Sequence, residues 1–193
     1  TLVARGYFKK IVVADTLDSY VERIFALDEV SLGLLSVGIF LFSIQIFCDF
    51  SGYSDIARGL ARSFGLRIMV NFNSPFLALN PTEFWRRWHI SLSTWFRDYV
   101  FKPLGGSRKG NVRLIIAIMT TFLLSGLWHG AAWNYVLWGF YHGIILILFR
   151  FSGLNLLAQK GVLSRFCSWG MTFILIQASW FLFRSTDIIS HLF

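Results

Sequence analysis

Apolar residues gather along this chain into blocks of helical length, separated by short polar breaks. Residues 5–27 carry apolar groups at helical spacing, with Asp15, Asp18, Glu22 and Arg23 on another side. That pattern predicts an amphipathic or interfacial helix, or the end of a span. Val30 to Cys48 holds Gln45 as its one strongly polar side chain and is just long enough to cross about 30 Å of hydrocarbon. Residues 49–80 mix Asp49, Ser51, Tyr53, Ser54 and Asp55 with Arg58, Arg62 and Arg67. This is too polar for a lipid-facing helix, and predicts a short helix around 53–65 and a loop around 67–80, buried in protein or lining a cavity.

Asn80-Pro81-Thr82-Glu83 marks a helix start: Asn80 can cap, Pro81 suits the first helical position, and Glu83 falls at the third. The helix is expected to run to about Val100. Trp85, His89, Leu92 and Phe96 would lie on one stripe, with Arg86, Arg87 and Arg97 pointing elsewhere. Gly105 to Gly110 is a basic turn-rich loop. Three further spans are expected, at about 112–133, 135–151 and 162–183, the first two antiparallel because their connection is short. The expected architecture is an all-α, polytopic membrane protein, one domain over 1–193, with buried short helices and re-entrant loops.

Composition agrees. Hydrophobic residues make up 55% and charged residues 15%, against roughly 25% charged in a soluble domain. The net charge of +8 is uneven, since Asp98 is the only acid between Trp85 and Phe183, amid Arg86, Arg87, Arg97, Lys102, Arg108, Lys109 and Arg113. Between membrane segments this is positive-inside charge, which places the 101–113 loop in the cytoplasm, with anionic lipid head groups or an anionic donor as a further contact and no nucleic acid as partner. Cys48 and Cys167 have no metal-site spacing and read as small core residues.

The candidate chemistry is carried by histidine. His129 sits in Gly126-Leu127-Trp128-His129-Gly130-Ala131, an imidazole in apolar sequence with small neighbours. A titratable group there is a functional candidate, and a helix-packing histidine is the competing reading. His89 has the same two readings. His142 follows thirteen residues after His129 and can face it across the turn. His191 lies in the terminal tail and carries little functional weight. No histidine pair has the HxxxH spacing of a helical metal site, and no GxSxG elbow is present. Asp49 and Asp55 can orient a histidine or hydroxyl, or pair with Arg58 or Arg62; the structural reading is favoured.

Five segments occur in one order: Cys48-Asp49-Phe50-Ser51-Gly52-Tyr53-Ser54-Asp55, Asn71-Phe72-Asn73-Ser74-Pro75-Phe76, Thr82 to Trp95 (containing Arg86-Arg87-Trp88-His89), Pro103-Leu104-Gly105-Gly106-Ser107, and Gly126 to Ala131. Together they resemble the membrane-bound O-acyltransferase family, in the branch of the bacterial alginate O-acetyltransferases and related polysaccharide and peptidoglycan acetylation proteins. Cys48 departs from the aromatic residue usual there. The resemblance implies a C-terminal portion of a longer protein with a funnel or tunnel through the bacterial inner membrane. It aligns the family's catalytic histidine with His129, and a supporting histidine with His89. Asp49, Ser51, Tyr53, Asp55, Arg86, Arg87, Trp128 and His142 are the substrate-binding candidates, with no metal and no bound cofactor expected. The resemblance implies acetyl-CoA as donor, a polysaccharide as acceptor and a periplasmic acetyltransferase as partner. From the residues alone, a transporter or acyl conduit without bond chemistry, and a scaffold subunit, stay open.

Overall fold

The computed structural model describes residues 1–154 and 161–185. All regular structure among them is helical, and they form two compact units, Thr1–Phe72 and Asn73 onward. His191 lies outside the described residues.

In the first unit, α1 (Leu2–Tyr7), a π-helical segment (Phe8–Ala14) and α2 (Asp15–Phe25) form one helical run. This is the expected amphipathic segment, and it packs along α3 (Leu32–Ser63). Glycine permits the close approach. A Cβ on Gly6 would come within 2.6 Å of the Gly52 carbonyl oxygen, and one on Gly52 within 2.8 Å of the Gly6 carbonyl oxygen. Ser31 caps α3 by accepting from the Leu34 N–H at 3.3 Å, and Gly65, with φ of 72°, follows its end.

α3 corrects one expectation. The span does not stop at Cys48, and no break precedes the predicted helix at 53–65; one helix of 32 residues runs through both. At 1.5 Å per residue it is about 48 Å long, well beyond about 30 Å of hydrocarbon. Its polar second half is therefore a continuation, stabilised by partners on the neighbouring run. Asp55 accepts from Arg5 Nε and Nη2 at 3.0 Å each and from Lys9 Nζ at 2.8 Å. Asp49 pairs with Lys10, and Gln45 donates to Asp18 at 2.7 Å.

The second unit starts with a 3₁₀ turn (Pro75–Leu77), then α4 (Pro81–Arg87), α5 (Ile90–Phe96) and a π-helical segment (Arg97–Phe101). The Asn80 cap forms as expected: its side chain accepts from the Glu83 N–H at 2.8 Å, and Glu83 reaches back to accept from the Leu79 N–H at 2.7 Å. The single helix expected from 81 to about 100 is broken at Trp88-His89, where His89 takes a left-handed backbone with φ of 43°.

Three long helices follow: α6 (Asn111–His129), α7 (Trp133–Phe151) and α8 (Val162–Arg184). Among the described residues, these three and α3 are the four helices long and apolar enough to cross a membrane. α6 and α7 are antiparallel neighbours joined by Gly130-Ala131-Ala132, as the short connection predicts. α8 is tied by polar contacts to the rest of the unit: Trp169 Nε1 donates to the Phe76 carbonyl, Tyr141 Oη to the Leu175 carbonyl and Asn134 Nδ2 to the Phe183 carbonyl, each at 2.9 Å. Phe84, Trp138, Ile176 and Trp180 form the fully buried core of this unit. Cys167 is exposed on α8 and is not the core residue expected, while Cys48 is half-buried.

Candidate active site

Two chain segments forty residues apart bring imidazoles to one end of α6. His129 is the last residue of α6. Its half-buried ring meets Trp128 at 5.0 Å, Phe183 at 5.1 Å, Trp138 at 5.2 Å and Tyr135 at 6.2 Å between centroids. These contacts are edge-on or tilted, which aromatic quadrupoles favour. The turn is narrow by necessity, because a Cβ at Gly130 would come within 2.7 Å of the Tyr135 ring.

His89 reaches the same end through the break between α4 and α5. Its ring lies 6.1 Å from that of Trp128, so Trp128 touches both histidines. A left-handed backbone costs a non-glycine residue about 1–2 kcal/mol, and the conformation is held by hydrogen bonds on both sides of the break. Burial pushes the His89 imidazole down to about 4, and a charge on His129 acts in the same direction. His89 is therefore neutral at pH 7 and close enough to His129 to sense its charge.

His142 sits deeper. It is 1% exposed and ringed by Trp138 at 4.8 Å, Trp85 at 4.9 Å, Tyr141 at 5.7 Å and Phe122 at 5.9 Å. Its Nδ1 accepts from Trp85 Nε1 at 3.3 Å. Trp138 touches both His142 and His129, so the structure gathers His89, Trp128, His129 and His142 into one aromatic cluster. Sequence reasoning missed Trp138; its position four residues before His142, one turn along the same helix face, is the signal that marks it.

Beside this cluster lies a cavity of about 790 Å³. Trp85, Leu92 and Phe96 of the expected stripe line it, without His89, because the break turns His89 away toward Trp128. Arg86 and Arg97, expected elsewhere, line it too, together with Arg150 of α7 and Ser125, which is one turn before His129. Its wall combines cations, hydroxyls and apolar surface. Arg87 is instead engaged within the protein, pairing with Glu83 at 2.6 Å.

The remaining candidates belong to α3 in the first unit. Asp55 is buried among Arg5, Lys9 and Arg58, without Arg62. Asp49 pairs with Lys10, and this raises the Lys10 pKa above its ordinary value. Ser51 is buried with its hydroxyl unpartnered among the described residues, and Tyr53 is 64% exposed. Among the described residues no group of three or more His, Cys, Asp or Glu side chains is placed to hold a metal ion.

A family model described as MBOAT, membrane-bound O-acyltransferase family, matches residues 10–179. The chain is 43% identical over 188 residues to the "Probable alginate O-acetylase AlgI" of Pseudomonas putida, covering 97% of this chain and 38% of that protein. It is 36% identical over 190 residues to the peptidoglycan O-acetyltransferase of Helicobacter pylori, covering 97% of this chain and 36% of that protein. It is 38% identical over 117 residues to the teichoic acid D-alanyltransferase of Bacillus subtilis, covering 57% and 30%. The chain thus spans a little over a third of the length of the first two of these curated relatives.

Proposed function

This chain belongs to the membrane-bound O-acyltransferase family, and from that premise we propose that it is the histidine-bearing part of an enzyme that moves acetyl groups toward a cell-surface polysaccharide. The observation that carries the reading is the convergence of His129 and His89 on Trp128 at the end of α6. Family membership by itself names a reaction class; two imidazoles in one aromatic cluster support a proton acceptor and a hydrogen-bonding partner for it.

In this reading acetyl-CoA is the donor, entering from the cytoplasmic side of the bacterial inner membrane. His129 takes the proton of an attacking hydroxyl as the oxygen bonds to the thioester carbon. The carbon–sulfur bond breaks, and the imidazolium returns the proton to the leaving thiolate. The products are an acetyl ester and free CoA. A positioned base of this kind contributes about 100- to 10,000-fold. His89, neutral at pH 7, hydrogen-bonds the donor carbonyl or the acceptor hydroxyl. Phe183, Trp138 and Tyr135 around His129 exclude water, which protects the thioester. Arg86, Arg97 and Arg150 at the neighbouring cavity offer charge for the donor's phosphates. A periplasmic acetyltransferase would complete delivery to the glycan.

The test is to express the complete protein with its neighbouring genes, supply acetyl-labelled CoA, and measure both free CoA and acetyl ester on extracellular glycan. Acetylation that is lost in a folded His129→Gln variant supports the assignment. Transfer that persists in that variant overturns His129 as base. Acetyl movement without CoA release overturns bond chemistry in favour of a conduit.

A further inference from the structure

The backbone on both sides of His89 is fastened at successive carbonyls. The Arg87 carbonyl accepts the Asn73 N–H at 2.9 Å, and the His89 carbonyl accepts the Ser93 N–H at 2.9 Å. Between them, the Trp88 carbonyl accepts the Ser93 hydroxyl at 3.0 Å. The Arg87 side chain then joins the same junction a second time. Its Nη1 donates to the Asn73 carbonyl at 3.4 Å, and its Nη2 to Glu83 Oε1 at 2.6 Å. The second oxygen of Glu83 accepts the Leu79 N–H at 2.7 Å, at the start of α4.

The junction has an unusual feature on each strand of it. Asn73 precedes Ser74, and Arg87 stands two residues before His89; Ser74 and His89 are, among the described residues, the two non-glycine residues with left-handed φ, 45° and 43°. Such conformations persist only where the surroundings over-determine them. A planar guanidinium can supply that constraint, because it holds a carboxylate and a carbonyl at once in fixed geometry.

We propose that Arg87, braced by Glu83 and bonded twice to Asn73, is a positioning residue that holds the helix break and so aims His89 at Trp128 and His129. Its neighbour Arg86 acts elsewhere, lining the cavity with no ion pair among the described residues. One arginine of the pair serves the protein's own backbone, and the other faces the space a ligand would use. The proposal deepens the acyl-transfer reading and rests on it for the kinetic consequence, but the geometry of His89 can be read independently.

The experiment uses the purified complete protein in detergent. Wild type, Arg87→Gln, Arg87→Lys and Glu83→Gln are treated with diethyl pyrocarbonate, and the labelling rates of His89, His129 and His142 are followed by peptide mass spectrometry. Donor kinetics are measured in parallel. The expected result is a several-fold faster labelling of His89 in Arg87→Gln with the His142 rate unchanged. kcat falls about 10- to 100-fold at unchanged donor KM, as misplacement of a catalytic group predicts. Arg87→Lys retains the pair with Glu83 but not the second bond to Asn73, and gives a smaller change of the same kind. Wild-type labelling and kcat in a folded Arg87→Gln variant overturn the proposal, as does a raised donor KM at unchanged kcat, which places Arg87 on the donor. Should Arg87→Gln expose all three histidines alike, Glu83→Gln decides by the same criteria. A wild-type protein that transfers no acetyl group overturns the acyl-transfer reading, and the labelling rates still decide on Arg87.

Discussion

The indole N–H of Trp85 donates to Nδ1 of His142 at 3.3 Å, linking α4 to α7 among aromatic rings. An accepting Nδ1 leaves the imidazole proton on Nε2, so the bond selects one neutral tautomer. Removing the acceptor strands a donor inside protein, which costs about 1–3 kcal/mol. His142→Leu should therefore lower thermal stability in detergent by that amount, and His142→Gln, which keeps an acceptor, by less. Equal melting of His142→Leu and wild type would show that the bond adds nothing.

His89 gives stability a dependence on pH. In the unfolded chain it binds a proton below about 6.5, whereas burial and the neighbouring His129 hold it to about 4 in the folded protein. Between those values the unfolded chain holds more protons, so protonation favours unfolding. The His89 contribution is intact above pH 6.5, declines as the pH falls toward 4, and declines no further below that. The melting temperature of wild type should fall across this window more steeply than that of His89→Gln. Identical slopes for the two proteins would exclude the effect.

Helices α6 and α7 meet glycine against backbone at Gly126 and Gly139. A Cβ at Gly126 would collide with the Tyr135 carbonyl, and a Cβ at Gly139 with the Phe122 carbonyl. Both obstacles are helix backbone and cannot rotate away. Overpacking of this kind costs about 1–3 kcal/mol. Gly126→Ala should also shift His129, three residues further along α6, so activity should fall by more than stability alone explains. Gly170→Ala on α8, where a Cβ would meet nothing within 4 Å, is the control and should leave both unchanged.

The two aspartates of α3 should differ. Asp55 is 5% exposed and shared by Arg5, Lys9 and Arg58; because Arg5 is largely exposed, breaking the group costs less than the about 3–5 kcal/mol of a fully buried pair. Asp49 and Lys10 are each nearly half exposed, and such a pair is worth about 0–1 kcal/mol. Asp55→Ala should loosen α1 from α3, visible as faster proteolysis near Arg5, while Asp49→Ala should cleave like wild type. Equal cleavage of the two variants would refute this difference.

Hydrophobic periodicity determined much of this protein without reference to a fold. It placed the three later spans to within a few residues, the short α6–α7 connection and the Asn80 cap, because each depends on neighbours in sequence. The ordered motifs pointed to the family and to His129 and His89 as the histidines to watch. Tertiary structure decided the rest. Residues 49–63 stay helical because Arg5, Lys9 and Lys10 on another element meet their carboxylates, a condition that local polarity reads as a break. The stripe Trp85–His89–Leu92–Phe96 divides because Asn73 and Ser93 capture carbonyls around position 89, sending Trp85 to His142 and His89 to Trp128. Local spacing governs which residues can share a helix face. Which of those helices continue, where one breaks, and which imidazoles meet depend on hydrogen-bond and charge partners distant in the chain.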